Sequence, residues 1–412
     1  MQTELNSDLL PVKSPSVIHW PEHPLEDLSI KKFEDFSDVR AIATEWDALL
    51  STSETNTVHQ LFAWNDVWWQ TLSGDRQSFV FALTTGDQMV GVAPLMLSVQ
   101  RKLGRTSRVL EFIGSGSVNY LDFIAGPNKK QLLETIMEEL YQRRAEWDML
   151  NLQHIPETSS TPAIIQEFFK HRKIPTAVVP VGSCPTFICS GDAIEDIKTI
   201  KGKKRQRSFN HYLRSGQFEF KICRSMTEIE AYLPAMFDQH IARFSGQARP
   251  SKYSDPLQRE FVRTMIERLL PMEIPIFAVA LFDGQPISIA CGFHYAQKFT
   301  GYLLTYDEAQ SKHSPAKLLI KLLMTEMINK GVTEFDFGRG SAEYKLRFTN
   351  CIRENHAALV YSDRFLSVLA TIDQTRHQLT DTIKTKIKEN HNFQPMVQTY
   401  KRISRKIRRL RF

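Results

Sequence analysis

The order of predicted secondary structure is repeated in two parts of the chain, and this repetition constrains the fold more than any other feature. Two β-rich runs flank Gly86-Asp87 in the first part, and two more flank Asp283-Gly284 in the second. Such dipeptides favour tight hairpin turns. In each part a strand-like run, a helix and a last strand follow, the last strands being WDMLNLQHIP and TEFDFG. The pattern predicts an α/β (α+β) fold with mixed sheets, built as two units of one design.

The length of 412 residues agrees with two units, since one hydrophobic core seldom serves a chain of this size. We predict an irregular leader at 1–30, a first half at 31–175, a connecting segment with a basic stretch at 176–215, a second half at 216–363 and a tail at 364–412. The start lacks the basic and apolar runs of a secretory signal, and no run of about 20 apolar residues occurs. Five scattered cysteines without a CxxC pair argue against a zinc site and a disulfide framework. These features predict a cytoplasmic protein.

An aromatic stripe is predicted in the first half. Trp64 and Trp68 lie four residues apart in LFAWNDVWWQTL, and therefore on one face of a helix. A stripe that faces the core is favoured over a ligand box.

A candidate anion site lies at the start of the helix AKLLIKLLMTEMINK. Ser314 suits the N-cap, Pro315 suits the first helical position, and Gly331 suits a left-handed C-terminal cap. The unpaired N–H groups and partial positive charge of such an N-terminus favour a phosphate or pyrophosphate. An ordinary capped helix is the alternative.

Polar residues follow the next strand, TEFDFG, in the segment GRGSAEYKLRF. We expect this strand beside the one that precedes the helix, with Gly338-Arg339-Gly340 opening next to the anion site. Ligands of open α/β sheets bind where strand ends diverge, and glycine lets a ligand approach the backbone. A dinucleotide fingerprint is excluded, because Glu343 stands where GxGxxG requires its third glycine.

The segment FDFGRGSAEYKLRF, preceded by SPAKLLIKLL, resembles the acetyltransferase domain of the BioF2-like, CelD/BcsL group, which is related to GNAT and Fem-type transferases. Further matching pieces are LFAWNDVWW, VGVAPLML, FIGSGSVNYLDF, KGKKRQRSFNHYLRSG and MFDQHIARFSG, so the resemblance spans about residues 35 to 363. It implies two GNAT-like mixed-sheet halves packed face to face. It also implies an acyl-CoA donor, first of all acetyl-CoA, and no metal. Where the group often has Pro-Gly at the helix start, this chain has Pro315-Ala316.

The resemblance also implies the reaction. The expected activity is N- or O-acylation of a glycan, lipid-linked sugar or amine in exopolysaccharide, cellulose or cell-envelope synthesis. Transfer from a thioester requires a base for the acceptor, support for the oxyanion and a proton for the thiolate. Asp336 and His240 are candidates for the base, Tyr344 for the thiolate proton, and the backbone of 301–306 for the oxyanion contact. Structural roles are the alternatives: loop capping or pairing with Arg339 for Asp336, and packing for the others.

The candidate binding residues form two groups. Those expected to hold the acyl-CoA are Ser314, Ala316, Lys317 and Arg339. Those expected to bind the acceptor are Asn119, Tyr120, Asp122, Arg207, Arg243 and Lys345, with Arg339 and Lys345 suited to an anionic group. Arg207 belongs to the stretch IKTIKGKKRQRSFNHYLRSG, for which a solvated helix face is the alternative.

The basic charge of the chain is concentrated at its end. The last twelve residues, KRISRKIRRLRF, contain seven Lys or Arg and no acid, so removing 7 from the net +6 leaves −1 for the rest. A nearly neutral body is a poor polyanion binder. As a helix, the segment would place Ile403, Ile407 and Leu410 on one stripe, as in interfacial helices. We predict peripheral contact of 401–412 with the inner face of the membrane. RNA binding is less favoured, and a solvated tail is the alternative.

Two other functions stay open from the sequence. A Fem-type transferase would take its donor from aminoacyl-tRNA. A catalytically silent GNAT-like module would dock to a membrane polysaccharide synthase. No motif excludes either function.

Overall fold

The computed structural model describes residues 25–102, 105–201, 207–246, 250–340 and 342–362. The predicted tail with its interfacial helix at 401–412, and residues 1–24 of the predicted leader, lie outside these residues. The end of the predicted 1–30 leader is not irregular, because a strand begins at Leu28. The first part of the chain contains β1 (Leu28–Phe33), α1 (Phe36–Val39), α2 (Ala43–Thr52), α3 (Phe62–Leu72), β2 (Gln77–Ser78), β3 (Val80–Thr85), β4 (Gln88–Ala93), β5 (Leu95–Lys102), β6 (Arg105–Phe112), β7 (Ile124–Ala125), α4 (Lys129–Gln142), β8 (Met149–Pro156) and α5 (Thr161–His171).

The second part continues in the same style. It contains β9 (Thr176–Ile188), α6 (Ala193–Lys201), α7 (Arg207–Ser215), β10 (Phe218–Cys223), α8 (Met226–Glu230), α9 (Leu233–Phe244), α10 (Pro256–Leu269), β11 (Pro275–Phe282), β12 (Gln285–Tyr295), β13 (Lys298–Tyr306), α11 (Pro315–Asn329), β14 (Glu334–Asp336), α12 (Glu343–Leu346) and β15 (Cys351–Tyr361). None of the described helices is long and apolar enough to cross a membrane.

An eleven-stranded mixed sheet runs through both parts of the chain, in the order β10-β11-β12-β13-β14-β9-β15-β8-β6-β5-β2. A second sheet has the order β1-β3-β4-β7. Each part contributes one parallel pair, β6 with β8 and β13 with β14, in which a helix separates the two strands along the chain. This recurrence confirms the predicted mixed α/β class with two halves of one design.

Strands β9 and β15 join the halves. β15 pairs with β9 along one edge and with β8 along the other, while β9 also pairs with β14 at residues 186–188. The segment predicted to connect the halves thus contains an interior strand. Its two prolines and its glycine lower its β-strand propensity, so the sequence does not indicate a strand there.

The aromatic stripe of α3 is buried at the contact between the halves. Trp64 and Trp68 are almost fully inaccessible, which confirms their predicted core position. The Trp64 ring meets Phe261 of α10 and Phe293 of β12 edge to face, with ring centroids 6.0 and 4.9 Å apart. Aromatic pairs of this geometry contribute beyond their buried area, so α3 ties the first half to the second.

The elements around the predicted anion site form as their local signals indicated. β11 and β12 make a hairpin about Asp283-Gly284. α11 begins at Pro315, and Gly331 follows its end with φ +79°. β14 lies parallel beside β13, as predicted.

Candidate functional site

Strands β13 and β14 separate where β14 ends. They pair from Lys298–Glu334 to Thr300–Asp336, after which β13 continues to Tyr306 without a strand partner on that side among the described residues. At the same level Cys291 faces Leu303 and Gly292 faces Gly301, so Tyr302 is the extra residue of a β-bulge. A bulge bends its strand and increases the local twist, which widens the gap.

A cavity of about 90 Å³ occupies this gap. Its walls come from β12, β13, β14, the second and third turns of α11 and the segment after β14. Its lining includes Gly301, Leu303, Ile320, Leu323, Tyr344 and Lys345. We call it the strand-gap cavity.

A wider cleft of about 550 Å³ also borders β13. One wall is the first-half segment 116–119, and the opposite wall includes α9 and the turn Lys252–Ser254. Tyr302 and Leu303 line both the cleft and the strand-gap cavity. Strand β13 therefore forms part of the wall of both spaces. We call this second space the inter-half cleft.

Asp336 is buried, and both of its carboxylate oxygens accept hydrogen bonds. Oδ1 accepts from the backbone N–H of Gly338 at 2.6 Å, and Oδ2 accepts from the hydroxyl of Tyr120 in the first half. Burial raises the pKa of Asp336, while the hydrogen bonds from Tyr120 and Gly338 oppose the shift. Asp336 lines neither space. This geometry matches the alternative role of capping a loop, and not that of a base exposed to an acceptor.

Lys345 and Asn119 hold the same loop. The Lys345 ammonium donates to the carbonyls of Gly338 and Arg339, at 2.9 and 2.7 Å. Asn119 accepts from the Arg339 N–H at 3.2 Å and donates to the Gly301 carbonyl at 3.3 Å. Of the predicted acceptor-binding residues, Asn119 and Tyr120 thus reach the junction of the halves. Lys345 lies at the strand-gap cavity, but its ammonium is engaged with the backbone.

Arg339, predicted to hold the acyl-CoA, lines the inter-half cleft and not the strand-gap cavity, and it contacts a histidine. Its Nη1 lies 2.6 Å from Nε2 and 3.1 Å from Nδ1 of His154, a residue of β8 with φ +67°. Burial and the charge of Arg339 lower the pKa of His154 to about 3, so the imidazole is neutral at pH 7. The buried Arg339 Nε has no hydrogen-bond partner.

His240 lines the inter-half cleft from α9. Its Nδ1 lies 2.8 Å from the Ser251 hydroxyl, and its ring stacks on Phe244 with centroids 4.5 Å apart. Burial and the charges of Arg243 and Lys252 lower the pKa of His240 to about 4. The imidazole is therefore neutral at pH 7, and Nε2 is the nitrogen left for proton transfer when Nδ1–H donates to Ser251.

The start of α11 differs from the prediction in one respect. Ser314 adopts φ +53°, and its side chain forms no capping hydrogen bond. Instead its carbonyl accepts from the N–H groups of Lys317 and Leu318, at 3.1 and 3.3 Å. Pro315 has no N–H, so Ala316 carries the remaining amide of the first turn. The ring of His313 stacks on His211 of α7, 3.5 Å between centroids, which places the basic stretch's helix beside this N-terminus.

Two further predicted acceptor-binding residues, Asp122 and Arg243, are not part of the cleft lining. Asp122 is fully buried and accepts from Lys129 Nζ at 2.8 Å, from the hydroxyls of Thr55, Ser159 and Thr161, and from the Phe123 N–H. This network belongs to the interior of the first half, so the predicted substrate contact of Asp122 is replaced by a structural one. The Arg243 guanidinium lies over the rings of Phe244 and Tyr306, and Arg207 begins α7.

Several residues at the site carried no recognisable signal in the sequence. They are His59, His154, Cys184, Tyr253 and Tyr302. A lone histidine in a strand-like run is most often structural, so nothing marked His154. His59 is buried beside Trp64 with both ring nitrogens unpartnered. Among the described residues, no group of three or more His, Cys, Asp or Glu is arranged to hold a metal ion.

The comparisons with known proteins agree with this architecture. Residues 201–346 match the family model described as acetyltransferase (GNAT) domain. No curated protein matches the chain. The solved structure titled FemX superposes with a TM-score of 0.56 at 11% identity, over 80% of this chain and 96% of that one.

Two further solved structures cover the chain to a similar extent. A conserved protein of unknown function from Bacteroides thetaiotaomicron has a TM-score of 0.49 at 12% identity, over 81% of this chain and 100% of that one. The C-terminal domain of a putative lysylphosphatidylglycerol synthetase from Agrobacterium fabrum has a TM-score of 0.48 at 12% identity, over 82% and 96%. Of the three, FemX alone supports a common fold.

Proposed function

We propose that this chain is an acyl-CoA-dependent acyltransferase that binds its donor in the strand-gap cavity and its acceptor in the inter-half cleft. The observation that carries the proposal is that Tyr302 and Leu303 line both spaces. A thioester carbonyl beside this part of β13 can be approached by an acceptor from the opposite side. The match of residues 201–346 to a GNAT acetyltransferase domain supports the same assignment.

The donor side supplies three contacts. The apolar walls around Ile320 and Leu323 suit an extended acyl-pantetheine arm, and the start of α11 with Lys317 suits its pyrophosphate. Backbone N–H groups of β13 beyond Thr300 are candidates for holding the oxyanion, because β14 no longer pairs with that side of the strand there. Burial raises the pKa of Tyr344, which keeps its hydroxyl protonated at neutral pH and able to protonate the leaving thiolate.

The acceptor side supplies the base. The acceptor nitrogen or oxygen attacks the carbonyl carbon, its proton passes to neutral His240, the carbon–sulfur bond breaks and the thiolate takes a proton. Asp336 acts as a positioning residue, because it fixes the loop that carries Arg339, Tyr344 and Lys345. The acceptor is a glycan, lipid-linked sugar or amine in exopolysaccharide or cell-envelope synthesis, as the sequence resemblance implies.

Thermal-shift measurements on the full chain test the donor. Acetyl-CoA at about 100 times its dissociation constant should stabilise the folded state by about 2.7 kcal/mol. Longer acyl-CoAs, free coenzyme A and tRNA are compared in the same buffer. Stabilisation by tRNA that falls steeply with salt, with no response to any acyl-CoA, would contradict the proposal.

That outcome would support the second candidate function, a Fem-type transferase that uses aminoacyl-tRNA. The similarity in fold to FemX is the observation that favours this candidate. The silent-module alternative predicts that neither donor binds and that His240→Ala and Tyr344→Phe leave the cellular phenotype intact. Peripheral membrane contact through 401–412 predicts sedimentation with anionic vesicles that is lost on deleting this segment.

A further inference from the structure

The lining of the inter-half cleft carries positive charge and no acidic side chain. Its lining contains Arg339 and Lys252 but no Asp or Glu. The two cations come from separate elements: Arg339 follows β14, while Lys252 belongs to the turn after α9, where its Nζ lies 3.5 Å from the Tyr302 hydroxyl. A cleft of this composition attracts anions and repels cations.

Arg339 points more directly to a ligand than Lys252 does, because it is half-buried and has no counter-ion among the described residues. No carboxylate of the described residues forms an ion pair with it, its Nε is buried without a partner, and burial lowers its pKa. A buried guanidinium is ordinarily paired, since an isolated buried charge is costly. Arg353 of strand β15 shows the ordinary case: it binds both oxygens of Glu334, at 2.7 and 2.9 Å.

His154 explains how Arg339 stays in place without losing its charge. A carboxylate at this position would orient the guanidinium and also neutralise it. Neutral His154 accepts from Nη1 and leaves the full positive charge available. Asn119 fixes the Arg339 backbone on the cleft side. The left-handed conformation of His154 is consistent with strain retained at a functional position.

We propose that Arg339, oriented by His154, is the recognition site for an anionic group on the acceptor, a carboxylate or a phosphate. The inference rests on the proposed function, since it names the class of acceptor for the same cleft. The aromatic rings of Phe244, Tyr253 and Tyr302 line the rest of the cleft and suit the body of such a molecule. Arg339 touches the acceptor and Lys252 adds a second charge, whereas His154 is a positioning residue.

The first test uses the protein without any acceptor. Removing an uncompensated buried charge should not destabilise the fold, so Arg339→Gln should keep or raise the melting temperature. The matched control Arg353→Gln removes the bidentate partner of Glu334 and leaves it only the Lys298 ammonium at 3.5 Å, so it should lower the melting temperature. A loss of stability in Arg339→Gln equal to that of Arg353→Gln would overturn the inference, because it would make Arg339 a structural residue.

The second test measures binding of defined anions to the full chain. Thermal shifts are recorded with inorganic phosphate and with acetate, against sodium chloride at equal ionic strength. Phosphate at the donor site acts on wild type and Arg339→Gln alike, so the difference between the two proteins isolates the cleft. We expect anion binding, measured from the thermal shift, to be at least tenfold weaker in Arg339→Gln. Whether phosphate or acetate gives the shift tells which of the two groups the cleft binds. Equal responses in both proteins with both anions would overturn the inference.

Variants of His154 distinguish a role in orienting Arg339 for anion binding from a role in folding alone. His154→Glu should raise the melting temperature by pairing with Arg339 and should weaken anion binding as strongly as Arg339→Gln. His154→Gln, which keeps an acceptor for Nη1, should retain binding better than His154→Leu. Anion binding that survives His154→Glu would overturn the assigned role. Acetyl-CoA binding is measured separately on each variant, so a failure of the anion site is distinguishable from a failure of the proposed function.

Discussion

Lys129→Met tests whether the Asp122 network is part of the fold or of the acceptor site. Lys129 Nζ lies 2.8 Å from Asp122, 2.7 Å from Glu54 and 3.0 Å from the Ser159 hydroxyl, and its side chain is 9% exposed. Methionine replaces the apolar stem but removes the ammonium. The fully buried Asp122 then keeps its hydroxyl and N–H donors but loses its cationic partner.

The magnitude follows from this arrangement. Removing one partner of a buried ion pair costs about 3–5 kcal/mol. Because Asp122 retains four other donors, we expect the lower end, about 3 kcal/mol. Urea denaturation should show a lower midpoint at an unchanged slope, which indicates a stability change without a change in compactness. Activity per folded molecule should be unchanged.

The adjacent lysine is the control. Lys130 is 60% exposed, and its nitrogen lies 3.9 Å from Glu134 and 3.5 Å from Glu167. Pairs of this kind contribute about 0–1 kcal/mol, so Lys130→Met should be nearly neutral. If Lys129→Met proved as stable as Lys130→Met and instead raised the KM for the acceptor, the structural reading of this network would be refuted.

Three further predictions concern the site itself. His240→Gln should lower kcat about 100-fold. In the wild type the rate should fall below pH about 4, where the imidazole becomes protonated, and this fall should be absent in the variant. The same fall in the variant would exclude His240 as the base. Ile320→Trp, which fills the strand-gap cavity, should weaken acetyl-CoA binding at least tenfold by calorimetry and leave the Arg339-dependent anion response intact; unchanged acetyl-CoA affinity would place the donor elsewhere. Gly338→Ala should lower the free energy of unfolding by about 3 kcal/mol, because φ is +68° and the new methyl would lie 2.8 Å from the Gly301 carbonyl oxygen. The control Gly331→Ala, with φ +79° and open space around the new methyl, should lower it by about 1 kcal/mol in the same urea titration.

The parts of the fold that were predictable are those with local signals. A turn dipeptide marks the hairpin of β11 and β12, and a proline and a glycine mark the two ends of α11. β14 was predicted beside β13 because a helix between two strands usually returns the chain to the same sheet. The sharing of β9 and β15 between the halves was not predictable, since strand partners far apart in the chain leave no local trace.

The candidate site was predicted in part for the same reason. The sequence indicated the segment after β14, and the structure brings Arg339, Tyr344 and Lys345 to the two spaces beside β13. What a side chain does there depends on its neighbours. Asp336 is engaged by Tyr120, which is 216 residues away in the chain, and Arg339 contacts His154, 185 residues away.

The position of β15 bears on how the protein is made. The edge of β8 is covered by a strand that begins at Cys351, so about 195 residues must be synthesised after Pro156 before that edge is paired. At roughly 5–20 residues per second, the interval is about 10–40 s. An unpaired edge is a template for aggregation. The nascent first half is therefore the form of this protein most in need of a chaperone.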